Sequence, residues 1–248
     1  MAISAWRAKI AKARDMDRHC LLFGAQRHRY QLGECATEDE VRRFEKQQGV
    51  ELPSEYREFI CTVGNGGAGP GYGIVPLEKC WIRGALHLPF PYTAACDPLA
   101  HLDDSHDDSE WNRAYNGCMA IGTDGCGIWN LLVVTGPRRG DLWKDLASQD
   151  QGFSPTTLSF VRWYEAWLDG IVSDELLEKQ LEDQWRRATC LGFPHQCPKC
   201  FGHRVQTTPL DMLECNTFVA GVLPVANPRY ELCTCLECGY SVKSYFPG

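Results

Sequence analysis

The stretch "EDEVRRFEKQQGVELPSEYREFICTVGNGGAGPGYGIVPL", residues 38–77, decides the fold class through its punctuation. Thr37, just ahead of it, can cap a first turn in which Glu40 stands three residues on as the capping-box partner. Val41 and Phe44 supply an apolar stripe, and Gly49 supplies the stop, so a helix is expected. Pro53 and Ser54 open a second helix with Tyr56, Phe59, Ile60 and Val63 on one face and Gly64 at its end. The run "GNGGAGPGYG" (64–73) then packs six glycines and a proline into ten residues. It follows a helix and precedes the strand-like "YGIVPL", whereas a phosphate-binding loop follows a strand and precedes a helix. Tight turns with positive φ are expected here, not a nucleotide cradle.

Downstream the period changes. "GCMAIG" (117–122), "GIWNLLVV" (127–134) and "GDLWKDL" (140–146) are short aromatic and β-branched runs bounded by Gly, Asp and Pro, which predicts strands, the last two joined by the hairpin connection "TGPRRG". "SPTTLSFVRWYEAWLDG" (154–170) returns to helical spacing through Leu158, Val161 and Leu168, and a more charged helix follows from Ser173. Upstream, residues 2–30 read as a polar helix and connector. Helices, a Gly-rich turn, antiparallel strands and a closing helix make an α+β domain.

The ordered set of these features closely resembles the SUKH superfamily, in its Smi/Knr-type branch. The resemblance is carried by Leu52-Pro53 before Tyr56, by Phe59, by the Asn65-Gly66-Gly67 turn, by Gly125-Cys126-Gly127 before an apolar strand, by Gly140-x-Leu142-Trp143, and by the aromatic helix 160–170. It implies an antiparallel sheet with flanking helices, with no fixed catalytic set to carry over. Bacterial relatives look like immunity proteins that bind and neutralise a toxin, often a nuclease; eukaryotic relatives are regulatory scaffolds. The expected organisation is an N-terminal helical extension (1–32), the SUKH-type domain (33–170), a helical linker (171–194) and a small C-terminal module (195–248).

Charge narrows the partner. The formal net charge is −7, and residues 1–190 hold 28 acidic and 21 basic side chains against four of each in 191–248. A body of that sign favours a basic protein partner over a phosphate backbone. The densest run is "HLDDSHDDSEW" (101–111), where Asp103, Asp104, Asp107, Asp108 and Glu110 form either a partner-binding patch or a solvated acidic loop. The same run, with His101 and His106, is a poor metal site because adjacent ligands on one loop lack preorganisation. No apolar stretch is long enough for a membrane span, and the first twenty residues are charged throughout, so a cytoplasmic protein is expected.

The fourteen cysteines point to reduced thiols and a metal. Eight are dispersed, and those such as Cys61, Cys118 and Cys126 read as small hydrophobic residues. "CPKCFG" and "CLECGY" place Cys197/Cys200 and Cys235/Cys238 at a spacing that lets two turns deliver four thiolates to one tetrahedral Zn²⁺. The glycine beyond each pair permits the required turn. With the β-prone runs "HRVQTTPL", "DMLECNTFVA" and "YSVKSYF" between and after them, a small β zinc ribbon is expected. Cys233 competes with Cys235 as a ligand, His195 and His203 are alternates, and thiol-exchange chemistry is the rival reading of a Cys-x-x-Cys pair. Four cysteines leave no open coordination position, so the zinc is expected to be structural. No Gly-x-Ser-x-Gly, His-Glu-x-x-His, Walker-type or deaminase-type motif is present, and a non-enzymatic binding protein is expected. The runner-up is a regulatory adaptor whose ribbon contacts a protein or nucleic acid.

Overall fold

The computed structural model describes residues 5–97, 108–173, 175–176, 179–180, 197, 205–210 and 229–246. The chain divides into two compact units, Met1–Asp174 and Glu175–Gly248.

The first unit is α+β. Helices α1 (Trp6–Met16), α2 (Ala25–His28), α3 (Glu38–Gln48), α4 (Ser54–Thr62) and α5 (Asp108–Ala114) precede a four-stranded antiparallel meander, and α6 (Phe160–Val172) closes it. Its strands are β1 (Cys118–Gly125), β2 (Ile128–Val133), β3 (Asp141–Asp145) and β4 (Phe153–Ser159), in the order β1-β2-β3-β4. The capping box of α3 forms as its sequence dictates: Thr37 Oγ1 accepts from the Glu40 amide at 3.3 Å while Glu40 Oε2 accepts from the Thr37 amide at 2.7 Å, and Gly49 ends the helix with φ +67°.

The sheet is buried on both faces, which is why β1 and β2 read as continuous apolar runs without alternation. On one face Cys118, Ala120, Leu131, Val133, Trp143 and Phe153 pack with Ala114 and Tyr115 at the end of α5 and with Phe90 from the long connection ahead of it. Strand alternation turns Met119, Leu132 and Leu142, all buried, to the other face. The helices α1, α4 and α6 meet in an aromatic cluster. Trp6 stacks on Tyr164 with ring centroids 4.8 Å apart, Phe59 meets Phe160 edge-on at 5.2 Å, and Tyr56 meets Phe160 at 5.2 Å. The N-terminal helix, polar in sequence, is therefore part of the core: Trp6, Ile10 and Ala13 are buried, and Lys9 pairs with Asp169 of α6.

Two expectations are corrected. Residues 153–159 form β4, not the start of the closing helix; the Asp145 end of β3 pairs with Phe153, and α6 begins at Phe160, with Ser159 Oγ accepting from the Arg162 amide at 3.5 Å. Ser154, Pro155, Thr156 and Thr157 resemble a helix entry, but Pro155 and the β-branched threonines suit an edge strand equally well. "YGIVPL" is not a regular strand. It makes single bridges, Gly67–Ile74 and Ile74–Gly122, and ends in a 3₁₀ turn at Leu77–Lys79. Those bridges, with Leu32–Gly67 beyond them, cover the outer edge of β1. Gly67 makes this close stacking possible: at φ +97°, a Cβ there would lie 2.3 Å from the Gln31 carbonyl oxygen.

The second unit carries a three-stranded antiparallel sheet in the order β5-β6-β7: β5 (Val205–Leu210), β6 (Arg229–Cys235) and β7 (Ser241–Phe246). β5 and β7 fall within the expected β-prone runs, β6 adds a strand beyond them, and "DMLECNTFVA" lies outside the described residues.

Candidate functional site

β6 ends at Cys235, and the chain turns back into β7 through Leu236–Tyr240. The Cys235 amide donates to the Tyr240 carbonyl at 2.8 Å, and the Gly239 amide donates to the Cys235 carbonyl at 2.9 Å. Gly239 adopts φ +72° with nothing within 4 Å of a Cβ built there, so the turn needs glycine for its backbone conformation and not for space. This knuckle brings Cys235 and Cys238 together with Cys197, and the three sulfurs all lie within 4.8 Å of one another. Cys197 and Cys235 are buried, while Cys238 is exposed. Cys197 Sγ and Cys238 Sγ are 3.8 Å apart. Two sulfurs at about 2.3 Å from a tetrahedral Zn²⁺ stand about 3.8 Å from each other, so the spacing fits shared ligation of one ion. A disulfide, at about 2.05 Å, does not fit it. Cys200 and the side chain of Cys233 lie outside the described residues. The cluster can hold a metal, and its thiolates suit a soft or borderline ion.

Of the acidic run, Asp103, Asp104 and Asp107 lie outside the described residues, and Asp108 and Glu110 are placed by backbone alone in the first turn of α5. The residue after Glu110 is Trp111, which belongs to an aromatic surface the sequence reading missed. Arg83 lies 4.9 Å above the Trp111 ring and donates from Nε to Asn112 Oδ1 at 3.1 Å. Trp81, 37% exposed, bridges β1 at Ala120 and packs against Trp129 of β2 at 5.5 Å and Tyr115 at 5.2 Å. In sequence these tryptophans are scattered over 81, 111 and 129: the β1 pairings gather Trp81 and Trp129, and Arg83, which lies over both Trp111 and Tyr115, links in the third.

The buried polar groups hold backbone. Asp17 accepts from the Leu21 and Leu22 amides at 2.6 and 3.1 Å and from the Tyr30 hydroxyl at 2.7 Å. Asp145 accepts from the Ala147 amide at 3.0 Å and the Tyr115 hydroxyl at 2.9 Å, and burial raises its carboxyl pKa. Burial likewise pushes the Cys80 thiol up to about 12 and raises those of Cys118, Cys96 and Cys61. These thiols stay protonated near neutral pH, which suits packing and not nucleophilic attack.

A two-face-buried antiparallel meander behind a Gly-rich bridge, flanked by helices, defines an α+β domain. Residues 35–150 match the model of the SMI1 / KNR4 family (SUKH-1). No curated protein and no solved structure matches the chain. Among the described residues no helix is long and apolar enough to cross a membrane.

Proposed function

We propose that this protein is a non-enzymatic immunity protein that binds and neutralises a protein toxin, with a structural zinc ribbon at its C-terminal end. The family match over residues 35–150 carries the reading, because bacterial SUKH-type domains typically act by binding a toxin. The surface at Trp81 and Trp129 suits such a role: exposed tryptophan over a rigid sheet is the side chain most often found at the energetic centre of a protein interface. The acidic run 103–110, which precedes Trp111 in sequence, would favour a basic partner, a toxin with a nucleic-acid-binding cleft being the natural case.

Co-expression with the toxin encoded beside this gene tests the proposal. Rescue of growth and a stoichiometric complex are expected, and Trp81→Ala weakens that complex by ~30-fold or more if Trp81 is a central contact. Failure of both rescue and complex formation would end the immunity reading.

In the C-terminal unit, Cys197, Cys200, Cys235 and Cys238 would hold Zn²⁺, which supplies folding energy and no chemistry. Metal analysis of the purified chain should give about one equivalent of zinc. Cys235→Ser should lose most of it and release the second unit to proteolysis; full zinc retention in Cys235→Ser would remove that residue from the ligand set.

A further inference from the structure

We propose that a second surface of this protein, built by Phe23, Arg27 and Tyr72, takes an acidic segment of a partner protein. Phe23 and Tyr72 are two of the six exposed large apolar side chains among the described residues, 55% and 37% exposed, and they touch each other with centroids 5.2 Å apart. The Arg27 guanidinium carbon lies 5.5 Å from the Tyr72 centroid. Cation and rings come from three segments: the turn after α1, helix α2, and the Gly-rich loop.

All three are held rigidly. Gly24, at φ +78°, is pressed so close to the loop that a Cβ there would lie 1.8 Å from the Gly71 carbonyl oxygen. The Tyr72 amide donates to the Thr123 carbonyl at 2.9 Å, and the Tyr72 ring lies so close to Gly125 that a Cβ there would be 2.8 Å from Cε2. The aromatic pair is thus fixed at the surface before any partner arrives, which lowers the entropic cost of binding. Aromatic rings with a stacked arginine are the composition of an interface centre, and stacking leaves the guanidinium edge open to a carboxylate. Among the described residues Arg27 has no carboxylate partner; the nearby Asp124 is occupied by Lys144 Nζ at 2.5 Å and Asn130 Nδ2 at 3.1 Å.

Charge selects the occupant. Residues 1–33 hold seven Lys and Arg against two Asp, a formal +5, so the remaining residues carry −12 of the net −7. Charges on the exposed surface act over about one Debye length, ~8–10 Å in physiological salt, so a short acidic segment docking here is governed by Arg27 and its immediate neighbours and not by the net charge of the chain. A nucleic acid is longer than that and would run its phosphates against the negative remainder.

This surface is independent of the toxin reading and of opposite sign to the acidic run. The test pans a displayed library of short random peptides on the immobilised full chain and on Phe23→Ala and Arg27→Glu, both at exposed positions, so the melting temperature should be unchanged. The expected result is enrichment of peptides with net negative charge and at least one apolar residue, their affinity falling about tenfold or more in each variant. Three results overturn the proposal: basic or no enriched peptides, binding to both variants as tight as to the parent, or stronger binding of a single-stranded oligothymidylate than of the best peptide. Concentration-dependent dimerisation abolished by Arg27→Glu would also overturn it, assigning the surface to a second copy of this chain.

Discussion

Replacing Trp6 tests whether the N-terminal helix belongs to the core of the first unit. The side chain is fully buried, stacks on Tyr164 at 4.8 Å and sits 5.9 and 6.5 Å from the Phe59 and Phe160 rings. Trp6→Ala removes that packing and leaves a cavity bounded by aromatic rings that cannot collapse into it, so a loss of about 3–5 kcal/mol is expected. For a unit of this size each kcal/mol moves the melting temperature by about 2–4 °C, so the first unit should melt roughly 6–20 °C lower, read by calorimetry with near-UV circular dichroism to assign the transition. Trp6→Phe separates packing from polarity. The indole Nε1 has no hydrogen-bond partner among the described residues, and removing an unsatisfied buried donor returns about 1–3 kcal/mol, which offsets much of the lost ring volume. Trp6→Phe should therefore stay within ~1.5 kcal/mol of the parent. A Trp6→Ala protein that melts within a degree of the parent, or a Trp6→Phe protein as damaged as Trp6→Ala, would refute this account of α1.

Other positions give sharper local tests. Thr37→Ala removes the α3 cap and should cost about 1 kcal/mol in urea unfolding, with Thr37→Ser restoring most of it. Gly67→Ala, with its Cβ aimed at the Gln31 carbonyl at 2.3 Å and φ at +97°, should cost at least ~2 kcal/mol by the same assay, because both the backbone conformation and the space are denied. His28 accepts from the Tyr30 amide through Nδ1 at 3.0 Å and has its pKa lowered by burial, partly opposed by Asp17. The unfolded chain therefore takes up a proton near the ordinary histidine pKa of about 6.5 while the folded chain does not. Stability contributed here is present above that pH and lost as pH falls through the window down to the folded value. Urea midpoints measured from neutral to mildly acidic pH should fall more steeply for the parent than for His28→Asn; parallel profiles would remove His28 as their source.

Part of this architecture is written locally. The α3 cap, its glycine stop and the two-face-buried strands β1 and β2 depend on neighbours within a few residues, and their signals in sequence match what forms. The cysteine cluster is legible for the same reason: the Cys235-x-x-Cys238 spacing encodes a single turn, and the glycine after it encodes the φ that turn needs, even though Cys197 is 41 residues from Cys238 along the chain. β4 shows where local reading fails. Ser154-Pro155-Thr156-Thr157 carries the residues of a helix entry, and only the ladder to β3, whose register sets Trp143 opposite Pro155, makes it a strand. α1 fails differently, because its three buried apolar residues are too few to make a periodic signal although one of them, Trp6, fills the aromatic cluster. The surface aromatics are the hardest case: in one dimension Phe23, Tyr72 and Trp81 are indistinguishable from core residues such as Phe59 and Trp143, and only the packing decides which rings face water. The exposed aromatic surfaces of this protein therefore come from tertiary placement, while its fold and its cysteine cluster come largely from spacing. Substitutions chosen from spacing should accordingly act on stability, and those chosen from exposed packing should act on association with folding unchanged.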